Sequence, residues 1–324
     1  MKTSNASRMQ WMDLLRGLAV ILVVILHVNT HGGASVQWWT DANRHLTPFR
    51  MPLLMFLSGM LLQRSLAKPL PIYAWGKIAA IGWPLVVWLL LYGVFVRTGI
   101  SWPQGTQYWI TGDYLWFLMA LLACYLIASF FKPLAVRFPQ THTWLYLGVF
   151  VLMVYLYIQH EDFRTSMVWY GSFFFLGAWA GGYVQKWVKA HWLIVVPMLI
   201  ACAYFAHLGV EERALRVGTF EAAGVSALGI AVILWIAPRI PRVGPVRFVE
   251  WAGRSSIVVY VAHFPVIVLL RDYVFSRLEL GPGAHVMLLT LCTLALTLLL
   301  VWARPWTPWL YTAPGHQWVA ARLR

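Results

Sequence analysis

The stretch at residues 13–31, DLLRGLAVILVVILHVNTH, decides how the chain is read. It is an apolar run with Arg16 near its start and His27 towards its far end. On a helix of about 100° and 1.5 Å per residue, that spacing is roughly three whole turns. The two side chains therefore share one stripe, about 16 Å apart along the axis. Lipid offers neither a partner, so ionisable residues in such a segment form a functional-site hypothesis in their own right.

The rest of the chain agrees with a membrane reading. Of 324 residues, 60% are hydrophobic and only 11% charged, against about 25% charged in soluble proteins; the mean hydropathy is +0.68. The 20 Trp and 14 Tyr gather near segment ends, as interfacial belts do. A net charge of +14 raises the question of nucleic acid. The Lys and Arg are scattered singly between apolar runs, however, which suits lipid headgroups and excludes a nucleic-acid groove. Cys124, Cys202 and Cys292 lie in apolar segments and are spaced for neither a metal nor a disulfide framework. Lys2, Arg8 and the following apolar run imitate a signal peptide, but Asp13, Arg16 and His27 are foreign to a cleaved segment, so a retained first helix is expected.

Apolar runs of about 17 to 25 residues occur at about 14–31, 48–64, 71–96, 114–131, 143–159, 167–185, 191–209, 217–237, 254–275 and 284–303. The expectation is an all-α polytopic membrane bundle of about ten helices, a single integral-membrane unit over 1–324 with no soluble domain. With the N-terminus in the cytoplasm, 17 of the 25 Lys and Arg fall inside, and only Asp13 and Glu250 of the 11 acidic residues do. That asymmetry predicts an even number of spans and both termini cytoplasmic. The longest polar connections are about 32–47, 97–113 and 238–250. Gly177 and Gly181 form a GxxxG whose first reading is close helix packing within the monomer.

Four stretches carry candidate chemistry. In the first, His27 is the natural general base for a hydroxyl. Arg16 is a fixed charge able to grip phosphate, and Asp13, three residues earlier, would orient it. His31 stands one turn from His27, but no third zinc ligand accompanies the two, so no metal is expected. In the second, FRMPLLMFLSG at 49–59, Pro52 opens a span and Arg50 sits at its outer edge, where snorkelling would explain it. Ser58 and Gly59 permit close approach, and Arg64 and Lys68 follow as a basic cytoplasmic end. The third, YLWFLMALL at 114–122, carries Trp116. The fourth, SSIVVYVAHFP at 255–265, places Tyr260 and His263 on one face.

Taken together these stretches resemble the acyltransferase-3 family of membrane O-acyltransferases, which modify bacterial cell-surface glycans and glycolipids. The resemblance rests on Arg16 and His27 in LRG…H, on the run from Pro52 to Gly59, on Leu115–Leu118, and on Tyr260-x-x-His263. It implies a ten-helix layout in the inner or plasma membrane. It also implies O-acyl, most often O-acetyl, transfer from cytoplasmic acyl-CoA to an extracytoplasmic glycan or lipid-linked sugar. Acyl-CoA is then a co-substrate and no cofactor is bound. His27 inherits the catalytic role and Arg16 an accompanying one. Asp13, Arg50, Ser58, Arg64, Lys68, Trp116, Tyr260 and His263 are the substrate-binding candidates. Two departures stand out: Arg64-x-x-x-Lys68 replaces an Arg-x-x-Arg near the end of the second span, and Leu53–Phe56 lacks the usual aromatic pair. The competing reading is a transporter or flippase for a lipid-linked sugar, although the paired helix interruptions of that class are not found. A homo-oligomer stays open on sequence.

Overall fold

A computed structural model describes residues 9–96, 104–138, 143–211 and 218–323, and among these every regular element is helical. The principal helices are α1 (Gln10–His31), α2 (Gln37–Gly59) and a rod, α3, at Leu70–Phe95. Then come α4 (Trp116–Phe130), α5 (Thr143–Gln159), α6 (Ser166–Ala180), α7 (Trp192–Glu211) and α8 (Phe220–Ile236). The chain closes with α9 (Gly244–Arg254), α10 (Ser256–Tyr273) and α11 (Pro282–Ala303). Within the described residues each of the ten apolar runs is largely helical. Among the described residues six helices are long and apolar enough to cross a membrane, and Thr143–Gln159 and Trp192–His207 are shorter apolar ones. Of the polar connection expected at 97–113, residues 97–103 lie outside the described residues.

The second helix departs from expectation. It begins at Gln37, eleven residues before the apolar run, and passes through both Pro48 and Pro52. Each proline removes a donor from the backbone ladder. Side chains add bonds to the backbone in the turns before them: Thr47 Oγ1 donates to Asn43 O (2.9 Å), Asn43 Nδ2 to Trp39 O (3.0 Å), and Arg50 Nη2 to Asn43 O (3.4 Å). Polar composition and prolines imitate a loop, yet most of residues 32–47 is helix. In α3 a wider π turn at Ile78–Gly82 ends where Trp83 N bonds Ile78 O, just ahead of Pro84.

The first helix is the hub, packed against α2, α9, α10 and α11. Small residues let the backbones meet. A side chain at Gly253 or Gly17 would collide with the Asp13 or Val249 carbonyl across the α1–α9 crossing. At the α2–α6 crossing Gly59 and Gly177 meet the carbonyls of Phe174 and Phe56, and Gly181 approaches Met60 O. The Gly177–Gly181 motif thus packs inside the monomer, as first read.

The short helix α9 is amphipathic. Val249, Ala252 and Gly253 turn inward, while Arg247, Phe248 and Arg254 are exposed. Its one acid, Glu250, is buried and takes a forked pair of bonds from Arg242, Nε to Oε1 at 2.9 Å and Nη2 to Oε2 at 2.6 Å. The Arg242 hydrogen bond holds the Glu250 carboxyl below the usual carboxylate range.

Two outcomes follow. Gly253→Val should cost about 1–3 kcal/mol through overpacking, read as earlier loss of the monodisperse peak on heating. Gly244→Ala, which meets nothing within 4 Å, should be silent. Because the folded-state pKa of Glu250 is lowered, its stabilising effect is full above the unfolded value of about 4.3 and fades as pH falls through the folded one. The thermal-midpoint gap between wild type and Glu250→Gln should therefore hold from neutral to mildly acidic pH and close only in stronger acid.

Candidate active site

The register of α1 against α2 sets the site. At one end Asn29 Nδ2 donates to Thr40 Oγ1 (2.9 Å), and Asn29 Oδ1 accepts from Val36 N (3.1 Å). Towards the other end Arg16 and Val20 of α1 share a cavity with Leu54 and Ser58 of α2. The helices run antiparallel, so counting inward from either tie brings His27 level with the turn of α2 that holds Asn43 and Thr47. The expected stripe on α1 is therefore matched by a second one on α2, made of Arg50, Leu54 and Ser58 at four-residue spacing.

The cavity is narrow, about 110 Å³, and begins at Arg16. Its walls are Val20, Leu54, Ile81, Phe117, Leu118, Leu121 and Ile257, with Ser58, Ser256 and Tyr260 as polar points. Arg16 Nη1 lies 4.0 Å from Asp13 Oδ1, and Asp13 is buried. An acid held out of water beside an arginine at a cavity mouth fixes where that arginine stands. Ser58 Oγ donates to Leu54 O (2.9 Å), while its carbonyl accepts from Tyr125 Oη (3.1 Å).

One turn beyond Tyr260 on α10, and outside the cavity lining, two histidines from opposite ends of the chain meet. His27 Nδ1 is 2.8 Å from His263 Nε2, with ring centroids 5.0 Å apart. His263 is fully buried, and its Nδ1 is 2.6 Å from Tyr260 O. A carbonyl only accepts, so Nδ1 of His263 carries the proton. In the neutral pair its Nε2 must then accept from His27 Nδ1–H, which leaves the lone pair of His27 on Nε2. The arrangement can take a proton at one defined atom. Reciprocal bonds brace α10: Tyr260 Oη donates to Tyr114 O (3.0 Å) and Tyr114 Oη to Val261 O (2.9 Å). Phe264 stacks on Tyr114, 5.2 Å between centroids, and meets His27 and His31 edge-on. Among the described residues no group of three metal-ligating side chains converges.

The other candidates divide. Arg50 does not snorkel: it is 4% exposed, its Nη1 donates to Asn43 Oδ1 and its Nη2 reaches Thr47 Oγ1 at 3.3 Å. The reason is the extended α2, which carries protein-covered helix beyond the point where the apolar run stops. Trp116 stands beside Tyr170, 5.1 Å between centroids, outside the cavity, whose wall is taken by its neighbours Phe117 and Leu118. Arg64 and Lys68 are exposed. The helical turn bearing Arg64 ends at Leu66, so Lys68 falls beyond it, where its carbonyl accepts from Lys132 Nζ. His31 is exposed, bonds Thr30 Oγ1 (2.7 Å), and offers its carbonyl to Arg271 Nη1 (2.9 Å).

Lys77 is the residue that sequence reasoning passed over. Its ammonium lies 3.5 Å from the centre of the Tyr125 ring and 3.2 Å from Ser65 Oγ, on the far side of the tyrosine that bonds Ser58. The signal was present, a lone cation within the apolar run IYAWGKIAAIGW, and the rule that singled out Arg16 applies to it equally.

A family comparison assigns residues 9–303 to the acyltransferase domain of the acyltransferase-3 family. The chain belongs to this family. It is a multi-pass membrane protein with the fold unit of an acyltransferase. One curated relative, described as inner membrane protein YcfT of Escherichia coli (strain K12), is 25% identical over 224 residues, 55% of this chain and 58% of that protein. The chain thus matches somewhat over half the length of that relative.

Lys77→Met removes a charge held against a ring and a hydroxyl, with which no carboxylate pairs among the described residues. Such a change should leave the thermal midpoint equal to or above wild type, measured by unfolding in detergent.

Proposed function

We propose that the protein transfers an acyl group, acetyl first, from acyl-CoA to a hydroxyl of a cell-surface glycan, lipid-linked sugar or glycolipid. The observation that carries the reading is the His27–His263 hydrogen bond, tied through the Tyr260 carbonyl to a cavity that Arg16, Ser58 and Tyr260 line. In this reading all ten apolar runs cross the membrane and both termini are cytoplasmic, so Arg16 faces the donor and His31 the acceptor side.

The anionic end of the donor rests among Arg16 and Lys77, which flank Tyr125, with Arg64 and Lys68 drawing it in from the surface. Its thin acyl-bearing arm lies along the apolar walls, past Ser58 and Tyr260. Asp13 keeps Arg16 in place. At the far end the acceptor hydroxyl gives its proton to His27 Nε2 as its oxygen attacks the thioester carbonyl carbon. The tetrahedral adduct collapses to the ester, the carbon–sulfur bond breaks, and the proton passes from His27 to the departing thiolate. His263 keeps the imidazole in the tautomer that has Nε2 free and is a positioning residue. Trp116 and the outer rim near His31 are the candidates for contact with the acceptor.

Purified protein should bind acetyl-CoA saturably. Arg16→Ala should weaken that binding about tenfold or more, the scale of a lost charge-assisted hydrogen bond. His27→Ala should still insert and bind donor but leave no new acyl ester in the envelope by mass spectrometry. His263→Ala should retain a small fraction of the activity, because only the tautomer is lost. Normal ester in His27→Ala would remove the proposed base. Absence of acetyl-CoA binding at any concentration would favour the transporter reading.

A further inference from the structure

Arg50 is a cation without a counter-charge in the middle of the bundle. It is 4% exposed, and its hydrogen-bond partners, Asn43 and Thr47, are neutral. Among the described residues the ion pairs are Arg16–Asp13, Arg44–Asp41, Arg164–Glu161, Arg242–Glu250 and Arg271–Asp272, and no carboxylate pairs with Arg50. A buried guanidinium lacking an anion costs several kcal/mol. A well-packed apolar residue at that position would be cheaper for the fold alone. The charge therefore asks for an anion that arrives with function.

Its position says which. Arg50 belongs to the α2 stripe whose next two members, Leu54 and Ser58, line the donor cavity with Arg16 and Val20. Its side chain runs away from that cavity mouth, back along α2 to Asn43 and Thr47, in the direction helical side chains lean. The helix register brings this turn level with His27, and the Arg50 charge is among those that act on the His27 ring. Donor phosphates belong at Arg16, about 16 Å away along α1. At the depth of His27 the negative charge that appears during acyl transfer is on the thioester carbonyl oxygen.

We propose that Arg50 is a catalytic residue whose guanidinium donates hydrogen bonds to the oxyanion formed when the acceptor oxygen adds to the thioester. This rests on the acyl-transfer reading above. As the hydroxyl proton moves to His27 Nε2 and the new carbon–oxygen bond forms, the carbonyl π pair becomes the oxyanion lone pair facing Arg50. The pair returns to carbon as the thiolate leaves. Asn43 and Thr47 aim the guanidinium beforehand, so little rearrangement is needed as charge develops.

The test follows initial rates of labelled acetyl transfer from acetyl-CoA to envelope vesicles of a strain lacking this protein, with both varied. Arg50→Gln should lower turnover about 100- to 1,000-fold, the usual loss for one oxyanion donor. The half-saturating acetyl-CoA and vesicle concentrations should stay within about threefold, since ground-state binding is untouched. Arg50→Lys should recover part of the turnover, and it stands in if the glutamine variant does not fold. Unchanged turnover, or a loss confined to half-saturation by either substrate, overturns the oxyanion role. The second pattern would mean a standing anion on that substrate instead. If His27→Ala is inactive while Arg50→Gln is active, only the Arg50 role falls. If wild type transfers nothing to these vesicles, the acetyl-transfer reading falls and takes the Arg50 role with it.

Discussion

The hydrogen bond between His27 and His263 joins residues 236 positions apart and holds the first helix against the tenth. Inside an apolar bundle an imidazole has no water to fall back on, so each ring nitrogen needs a protein partner or faces a cavity. His263 meets the requirement completely, with Tyr260 O on one side and His27 on the other. His27 meets it on one side. That asymmetry turns a packing contact into a directed one, because a carbonyl at the end of the chain of bonds dictates where every proton sits. The reciprocal Tyr114–Tyr260 straps, the stacked Phe264 and the cavity wall are arranged around this contact.

Close helix crossings make the contact achievable. Gly17 and Gly253 let α1 and α9 touch backbone to backbone, and Gly59 and Gly177 do the same for α2 and α6. Lipid tails are as apolar as leucine, so helices in a membrane gain little from burying apolar surface against each other and depend on close van der Waals fit. Fixing α1 on one side with α9 and on another with α2 leaves Arg16 and Val20 on the cavity and His27 against His263. The polar groups then divide along the helices: Asp13 and Arg16 towards one end, Ser58 and Tyr260 on the cavity wall, and His27, His263 and Arg50 beyond it.

Arg50 and α2 illustrate how local signals mislead. Pro48, Pro52 and a polar stretch predict a loop followed by a short span, and an arginine at such a boundary should reach for headgroups. The helix instead begins eleven residues earlier, with Asn43, Thr47 and Arg50 adding side-chain bonds to its backbone ahead of the prolines. Two of these side chains, Asn43 and Thr47, also hold the guanidinium. Propensity spoke against this helix; packing against α1 and α6, which residue-by-residue patterns do not report, overruled it.

By itself the sequence determined the membrane class, the positions of the apolar runs, and the shared stripe of Arg16 and His27. It also held the ordered set of motifs that resembles the acyltransferase-3 family. All of these depend on composition or on the helical period, which are local properties. Tertiary structure decided the rest: that His263 faces His27, that Arg50 is buried level with it, that Lys77 rather than Arg64 or Lys68 has a built environment, and that Glu250 closes on Arg242. Each depends on which helices cross, at what register and how closely. Those crossings are set by glycines and carbonyls far apart in the chain, so no window of sequence contains both partners.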